Sequence, residues 1–278
     1  YSRVGNSMSN FTDFIGGGGG HLPQLVLNRS QTWVPPQDGT VCIHVIGGGG
    51  GGRSGSTTGY AAGAGGYSKK TTLAVTTSGS FTVVVGAGGL GGMNNAVGAS
   101  GGASTVAGTG LSATLTANGG GAGTTSNGAG GSASGGDVNN TGGAGHHSGG
   151  GGAVGIYATG ETGNTVTERA GQTDAVADGL ESFTGYGNLV GGLAGRTFFL
   201  STPAGNVIQG GDINGGFLSG GGSYQQVIES ADTGSNKTKA GNGGLGGGGG
   251  GCYQAYQPNQ SRGGNGGNGV VLIQYLPA

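Results

Sequence analysis

The sequence predicts a mainly β chain with packed polyglycine II helices: a glycine-rich sandwich held by a small β-sheet framework, with almost no α-helix. Three observations lead there. Glycine supplies 78 of 278 residues and apolar residues only 32%. A core of packed aliphatic side chains cannot run through such a chain, because glycine has nothing to bury and loses the most backbone entropy on ordering. Next, the glycine tracts are punctuated by short apolar runs with period-2 alternation, the mark of strands. Finally, 3.6-residue periodicity is almost missing. The ordinary expectation for so much glycine is disorder, but charged residues are only 8% and there are only 6 prolines, too little charge to keep the chain expanded. Collagen is excluded because no strict glycine at every third position persists.

The elements follow in order. Residues 1–30 form a mixed N-terminal arm around a five-glycine run at 16–20, an attachment or subunit-contact segment, and the glycine-rich domain occupies residues 31–278. Residues 40–46 alternate Val41, Ile43 and Val45 with Cys42, His44 and Ile46, a strand buried on both faces that runs straight into the glycines at 47–52. Tyr67–Val75 and residues 81–85 flank Ser78-Gly79 and predict a hairpin. Residues 111–116 predict a further strand, with Leu111, Ala113 and Leu115 facing one way. Val270–Tyr275 is the closing strand, expected to share a sheet with residues 40–46. Residues 153–240 are less glycine-rich insertions. Within them Val176, Leu180 and Phe183 fall at helical spacing, although Gly179 costs such a helix about 1 kcal/mol.

Ordered polyglycine has a physical solution to its lack of core. A chain in the polyproline II conformation has three residues per turn and about 3.1 Å rise, with no internal hydrogen bonds. Its N–H and C=O groups point sideways in three directions. Without Cβ atoms, neighbouring chains approach closely enough to bond laterally in a hexagonal array, which satisfies the buried backbone.

Four blocks carry a resemblance. Trp33-Val34-Pro35-Pro36 precedes the strand at 40–46 and its six glycines. Gly65-Gly66-Tyr67-Ser68-Lys69-Lys70 leads to Phe81-Thr82-Val83-Val84-Val85-Gly86-Ala87-Gly88-Gly89. Gly101-Gly102-Ala103-Ser104-Thr105 is followed by residues 111–121, and residues 263–269 precede the closing strand. In this order they resemble the glycine-rich domain of bacteriophage tail fibre and receptor-binding proteins. The resemblance implies a β-framework holding polyglycine II helices and, in phages, a distal adhesin that contacts the host surface. The arm and residues 153–240 depart from that pattern.

Composition narrows the chemistry. A net charge of −1 leaves no basic footprint for nucleic acid. No apolar run approaches the ~20 residues of a membrane span, so no membrane insertion is expected. GxGxxG matches are uninformative at this glycine content, and none leads into a Lys-Ser/Thr pair or a strand–helix unit. No GxSxG elbow is visible. His44 reads as a satisfied or edge-facing strand histidine. His146-His147 lack a third ligand at metal spacing, and the acids Glu161, Glu168, Asp174, Asp178 and Glu181 match no calcium loop. No enzyme activity, cofactor or metal is therefore expected. Cys42 and Cys252 could form one disulfide; two free thiols acting as small hydrophobes is the alternative.

Specific contacts must come from segments where glycine is interrupted. His146, His147, Tyr224, Tyr253 and Tyr256 are the receptor-contact candidates, because a tyrosine ring beside amide side chains offers contact area at low entropic cost. The expected function is a non-enzymatic extracellular adhesin, a virion tail fibre or secreted protein, presenting loops to a host surface protein or glycan. The alternative is a secreted protein that self-assembles into a filament or matrix. Neighbouring fibre or filament subunits are expected partners, including a homo-oligomer.

Overall fold

Apolar alternation and burial act together at the centre of the framework. Gly39–Ile46 (β3) is buried on both faces from Val41 onward, as the alternation requires. In the computed structural model, which describes residues 24–55, 59–146, 150–151, 160, 162, 198–201, 207–210, 224–226, 238–254 and 261–277, β3 lies between two antiparallel neighbours. On one side Val270–Tyr275 (β17) pairs residue for residue, from Val270 opposite Ile46 to Tyr275 opposite Val41. The first and last predicted strands thus share a sheet. On the other side runs Tyr67–Val75 (β5). Gln24–Leu27 (β1), within the stretch assigned to the arm, pairs along β17, and Val138–Asn140 (β10) pairs along β5. The order of this first sheet is β1-β17-β3-β5-β10.

A bulge opposite Val41–Ile43 shifts the register of β5. Leu73 and Val75 therefore face the core with Val41, whereas Tyr67 meets the opposite side of β3 at His44. An extra residue in one strand exchanges its faces in this way.

The predicted hairpin does not form. A turn is present, closed by the Gly79 N–H donating to the Thr76 carbonyl (2.8 Å), but the strands it joins enter different sheets. Phe81–Val84 (β6) pairs with Gln31–Trp33 (β2) and with Ser104–Gly108 (β7). The second sheet is completed by Leu115–Ala117 (β8) and Ala133–Ser134 (β9), in the order β2-β6-β7-β8-β9. Alternation reports only that each strand has a buried face, and here the two faces belong to two layers of one sandwich. The strand expected over 111–116 is likewise shortened to Leu115–Ala117. Gly110 is left-handed at φ 81°, and the Leu111 N–H closes a turn on the Gly108 carbonyl (3.2 Å), so residues 109–114 reverse the chain between β7 and β8. Leu111 still packs against the core.

The apolar core between the two sheets is small: Val41, Ile43, Val45, Leu73, Phe81, Val83, Val106, Leu115, Val271 and Ile273 dominate it. Trp33 closes one side, its ring 5.0 Å from that of Phe81.

Beyond the sheets, backbone replaces side chains. The chain leaves β3 as tract 47–52, whose hydrogen-bond partner changes at each residue and returns at every third. Gly47 and Gly50 donate to Gly66 and Gly63, Gly48 and Gly51 to Gly102 and Ala99, and Gly49 and Gly52 to Gly267 and Gly264, at 2.8–3.0 Å. In the opposite sense, Gly120 and Gly123 donate to Gly48 and Gly51, Gly89 and Gly92 to Gly49 and Gly52, and Gly249 to Gly50. A three-residue repeat of partners is the signature of the polyproline II helix.

Tract 47–52 thus has six neighbours: 59–66, 118–123, 96–102, 86–92, 263–269 and 246–251. Each bonds the next in that order and the last bonds the first, for example through Gly63 to Gly121, Gly101 to Gly120, Ala99 to Leu90, Gly266 to Gly89, Gly264 to Gly250 and Ala62 to Gly249. The hexagon is closed. Tract 59–66 is enclosed in turn, because it also bonds 128–132, 142–145 and Gly151. Adding a methyl group shows why glycine is required. A Cβ on Gly49 would overlap the Gly247 carbonyl, one on Gly51 the Leu90 carbonyl and one on Gly52 the Gly250 carbonyl.

Candidate functional site

Tracts 47–52, 86–92, 118–123, 142–145 and 247–251 run away from the sheets, and 59–66, 96–102, 128–132 and 263–269 run back. The reversals between them therefore gather at one end of the lattice, the end remote from the sandwich. They follow Arg53, Met93, Thr124, Gly145 and Cys252. Among the described residues this is where most of the non-glycine side chains attached to the lattice turns come together.

Backbone and side-chain bonds tie these reversals into one surface. Arg53 donates its N–H to the Tyr60 carbonyl (2.8 Å), and its carbonyl accepts the Cys252 N–H (2.9 Å). Its guanidinium lies over the Tyr60 ring at 5.8 Å and donates from Nη1 to the Thr124 carbonyl (2.9 Å). That arrangement joins three reversals through one residue. Ser54 Oγ accepts the Asn95 N–H (2.9 Å), and the Asn94 N–H donates to the Ser261 carbonyl (3.0 Å). Asn94 and Asn95 are left-handed, at φ 54° and 69°, a conformation asparagine tolerates because its short amide bonds locally. Together they fold tract 86–92 back onto 96–102.

A third sheet grows from this end. Ser54–Gly55 (β4) pairs in parallel with Cys252–Gln254 (β15), which pairs in parallel with Tyr224–Gln226 (β13). Val207–Gly210 (β12) and Phe198–Ser201 (β11) complete it antiparallel. Beside it Thr238–Lys239 (β14) pairs with Ser261–Arg262 (β16). Two of the segments where glycine is interrupted, the islands that hold Tyr224 and Tyr253, thus become adjacent strands, with Tyr224 in register with Cys252 and Tyr253 in register with Gln225. His146 ends tract 142–145 at the same end of the lattice. Tyr256, His147 and the helical spacing at 176–183 lie outside the described residues.

The disulfide alternative is corrected: Cys42 and Cys252 are both free and buried. Cys252 stands opposite Ser54, past the far end of tract 47–52, while Cys42 precedes that tract in β3. The six residues between the strand and Arg53 alone span ~19 Å at the polyproline II rise, against the ~7 Å limit for bridged Cα atoms. Cys42 instead belongs to a buried polar group on the first sheet. His44, 3% exposed, places Nδ1 2.6 Å from the Tyr67 hydroxyl and Nε2 3.3 Å from Cys42 Sγ. In the neutral ring one nitrogen donates and the other accepts, so both are served. Burial, then the nearby Lys69 charge, lowers the His44 pKa to about 3, and burial raises that of the Cys42 thiol. His44 is a satisfied strand histidine, as its place in the alternation suggested.

Sequence reasoning missed Arg53, Tyr60, Asn94, Asn95 and Thr124. The available signal was positional: each stands where a glycine tract ends on the side away from a strand. No curated protein matches the chain. The model of the glycine-rich domain family matches residues 26–276, the same span that the sandwich and its lattice occupy, and the chain belongs to that family.

Proposed function

We propose that the protein is a non-enzymatic extracellular adhesin of the phage tail-fibre kind, in which a rigid polyglycine lattice presents its distal reversals to a receptor on a host cell surface. The observation that carries this reading is the segregation of the reversals. Those after Arg53, Met93, Thr124 and Cys252 lie together at one end, tied through Arg53 and Ser54, while the first two sheets and the apolar core between them occupy the other. Recognition on loops and stability in a scaffold is the division that lets binding segments vary without loss of fold. A lattice bonded through backbone makes that division sharp, because its interior holds almost no side chains that could specify anything else. Tyr224 and Tyr253, on neighbouring strands of the distal sheet, are the proposed anchors together with Tyr256, since tyrosines at the centre of an interface commonly dominate affinity.

The test is competition. Purified protein added to host cells before phage should lower adsorption in a dose-dependent way, and hosts lacking single surface proteins or glycans should identify the receptor. Spontaneous fibres in electron micrographs, with no host binding across that panel, would overturn the adhesin reading in favour of a secreted filament.

A further inference from the structure

The lattice is a finite object with open sides, and polyglycine has no intrinsic reason to stop. An unpaired backbone edge is a template for another chain, the hazard known from exposed β-strands. Tracts 86–92 and 96–102 form such an edge. Among the described residues the backbone of tract 86–92 bonds the tracts 47–52, 96–102 and 263–269, and that of 96–102 bonds the tracts 47–52, 86–92 and 118–123, with Ala96 also held by Ser54 and Met93 at the reversal. The N–H groups of Ala87, Leu90, Val97 and Ser100 meet no acceptor among the described residues.

Burial along tract 86–92 repeats with a period of three. Gly86, Gly89 and Gly92 are buried, Gly88 and Gly91 are half-buried, and Ala87, Leu90 and Met93 are exposed. On the return, Val97, Ala99 and Ser100 are exposed as well. Leu90 at 67%, Met93 at 53% and Val97 at 52% are among the most exposed large apolar side chains described. Every Cβ added to the enclosed tract 47–52 overlaps a carbonyl of a neighbouring tract, 118–123, 86–92 or 246–251. The converse holds at the open edge: a tract carrying Leu90 or Val97 on an outward rung can accept no chain at that lattice position.

Where no large side chain projects, an asparagine supplies the carbonyl that a further chain would have brought. Asn268 Oδ1 accepts the Gly88 N–H (2.8 Å) and Asn265 Oδ1 the Gly91 N–H (2.9 Å). The two asparagines and the two glycines are each three residues apart, one turn of their helices. Asn242 Oδ1 serves the Asn265 N–H in the same way (2.9 Å).

We infer that the face formed by Ala87, Leu90, Val97, Ala99 and Ser100, flanked by Asn265 and Asn268, terminates the polyglycine lattice, and that a second copy of this chain docks there edge to edge once the side chains are removed. The five-site variant A87G/L90G/V97G/A99G/S100G uncovers the edge, and L90S/V97S removes the apolar groups but keeps each Cβ. Sedimentation velocity over a concentration series, with circular dichroism to confirm folding, reads the result. The glycine variant is expected to double its apparent mass relative to wild type as concentration rises, while the serine variant sediments as wild type. If the five-site variant fails to fold, L90G/V97G removes both large side chains with fewer changes and carries the same expectation. A folded glycine variant that sediments as wild type overturns the inference. So does a serine variant that associates as strongly, since association would then follow loss of the apolar groups rather than loss of the Cβ.

Discussion

Gly50 sits inside the closed hexagon, and replacing it with alanine isolates the lattice from every other source of stability. Its N–H donates to Gly63 and its carbonyl accepts from Gly249, both at 2.9 Å. The new Cβ would overlap the Gly121 carbonyl and stand 2.7 Å from the Gly121 carbonyl carbon and 2.9 Å from the Gly120 oxygen. Ordinary contact for such atoms begins near 3.5 Å, so tract 118–123 must retreat by about an ångström. That tract makes four bonds to its enclosed neighbours: Gly120 to Gly48, Gly123 to Gly51, Gly63 to Gly121 and Gly66 to Asn118, at 2.8–3.0 Å. At about 1–3 kcal/mol for each buried group left unmade, losing the four bonds makes G50A cost ~4–12 kcal/mol, comparable with the whole stability of an ordinary domain at ~5–15 kcal/mol. Guanidinium unfolding followed by circular dichroism measures it. Gly39→Ala is the control, because its Cβ meets only the Tyr275 ring at 3.2 Å, a side chain that can give by a few tenths of an ångström. If G50A unfolds within 1 kcal/mol of wild type, the hexagon does not hold the domain and the sandwich alone does.

The neutral, buried His44 makes the protein acid-sensitive. With its pKa lowered to about 3 from an ordinary 6.5, the unfolded chain binds the proton first, so stability falls as pH drops below about 6.5 and stops falling near 3, by about 2 kcal/mol at pH 5; the difference in melting profile between wild type and H44Q over pH 4.5–7.5 should show that slope, and a flat difference refutes it. Trp33→Ala opens the side of the core against Phe81 and should cost ~3–5 kcal/mol by chemical denaturation, whereas a cost under 1 kcal/mol would place Trp33 outside the cooperative unit. Y253A/Y256A should weaken host-cell binding about tenfold or more while leaving the melting temperature unchanged; unchanged binding would make both tyrosines covers of the lattice end.

How much of this was legible follows from which interactions announce themselves locally. Val41, Ile43 and Val45 alternate and Val270–Ile273 is an unbroken apolar run, so both strands and their pairing could be anticipated. Ser104–Gly108 does not announce itself as a strand, because Ser-Thr-Val-Ala-Gly contributes only Val106 to the core and its periodicity vanishes among glycines. The hairpin failed for a different reason. Leu73 and Phe81 do face the same core, but they do so from opposite layers, and no local pattern records which layer a strand joins. The parallel contact between Tyr224–Gln226 and Cys252–Gln254 leaves no sequence trace either, since neither island has a periodicity of its own. The period of three was present all along in Ala87, Leu90 and Met93, separated by pairs of glycines. It reads as noise to templates of 2.0 and 3.6 residues and becomes a signal only once a three-fold helix is the template.

That period also separates two kinds of non-glycine residue that composition treats alike. A side chain on an outward rung, such as Leu90, closes a side of the lattice, whereas a side chain beyond the last rung, such as Arg53 or Asn95, belongs to a reversal and leaves the hexagon untouched. Under the function and the edge termination proposed above, substitutions of the first kind act on association and those of the second on recognition. Neither kind points a side chain into the ring of tracts around 47–52, although the Leu90 carbonyl is one of its acceptors. Within that ring the tolerance is reversed, because even a methyl group overlaps a neighbour's carbonyl. Around the enclosed tract the fold is thus defined by where side chains are forbidden.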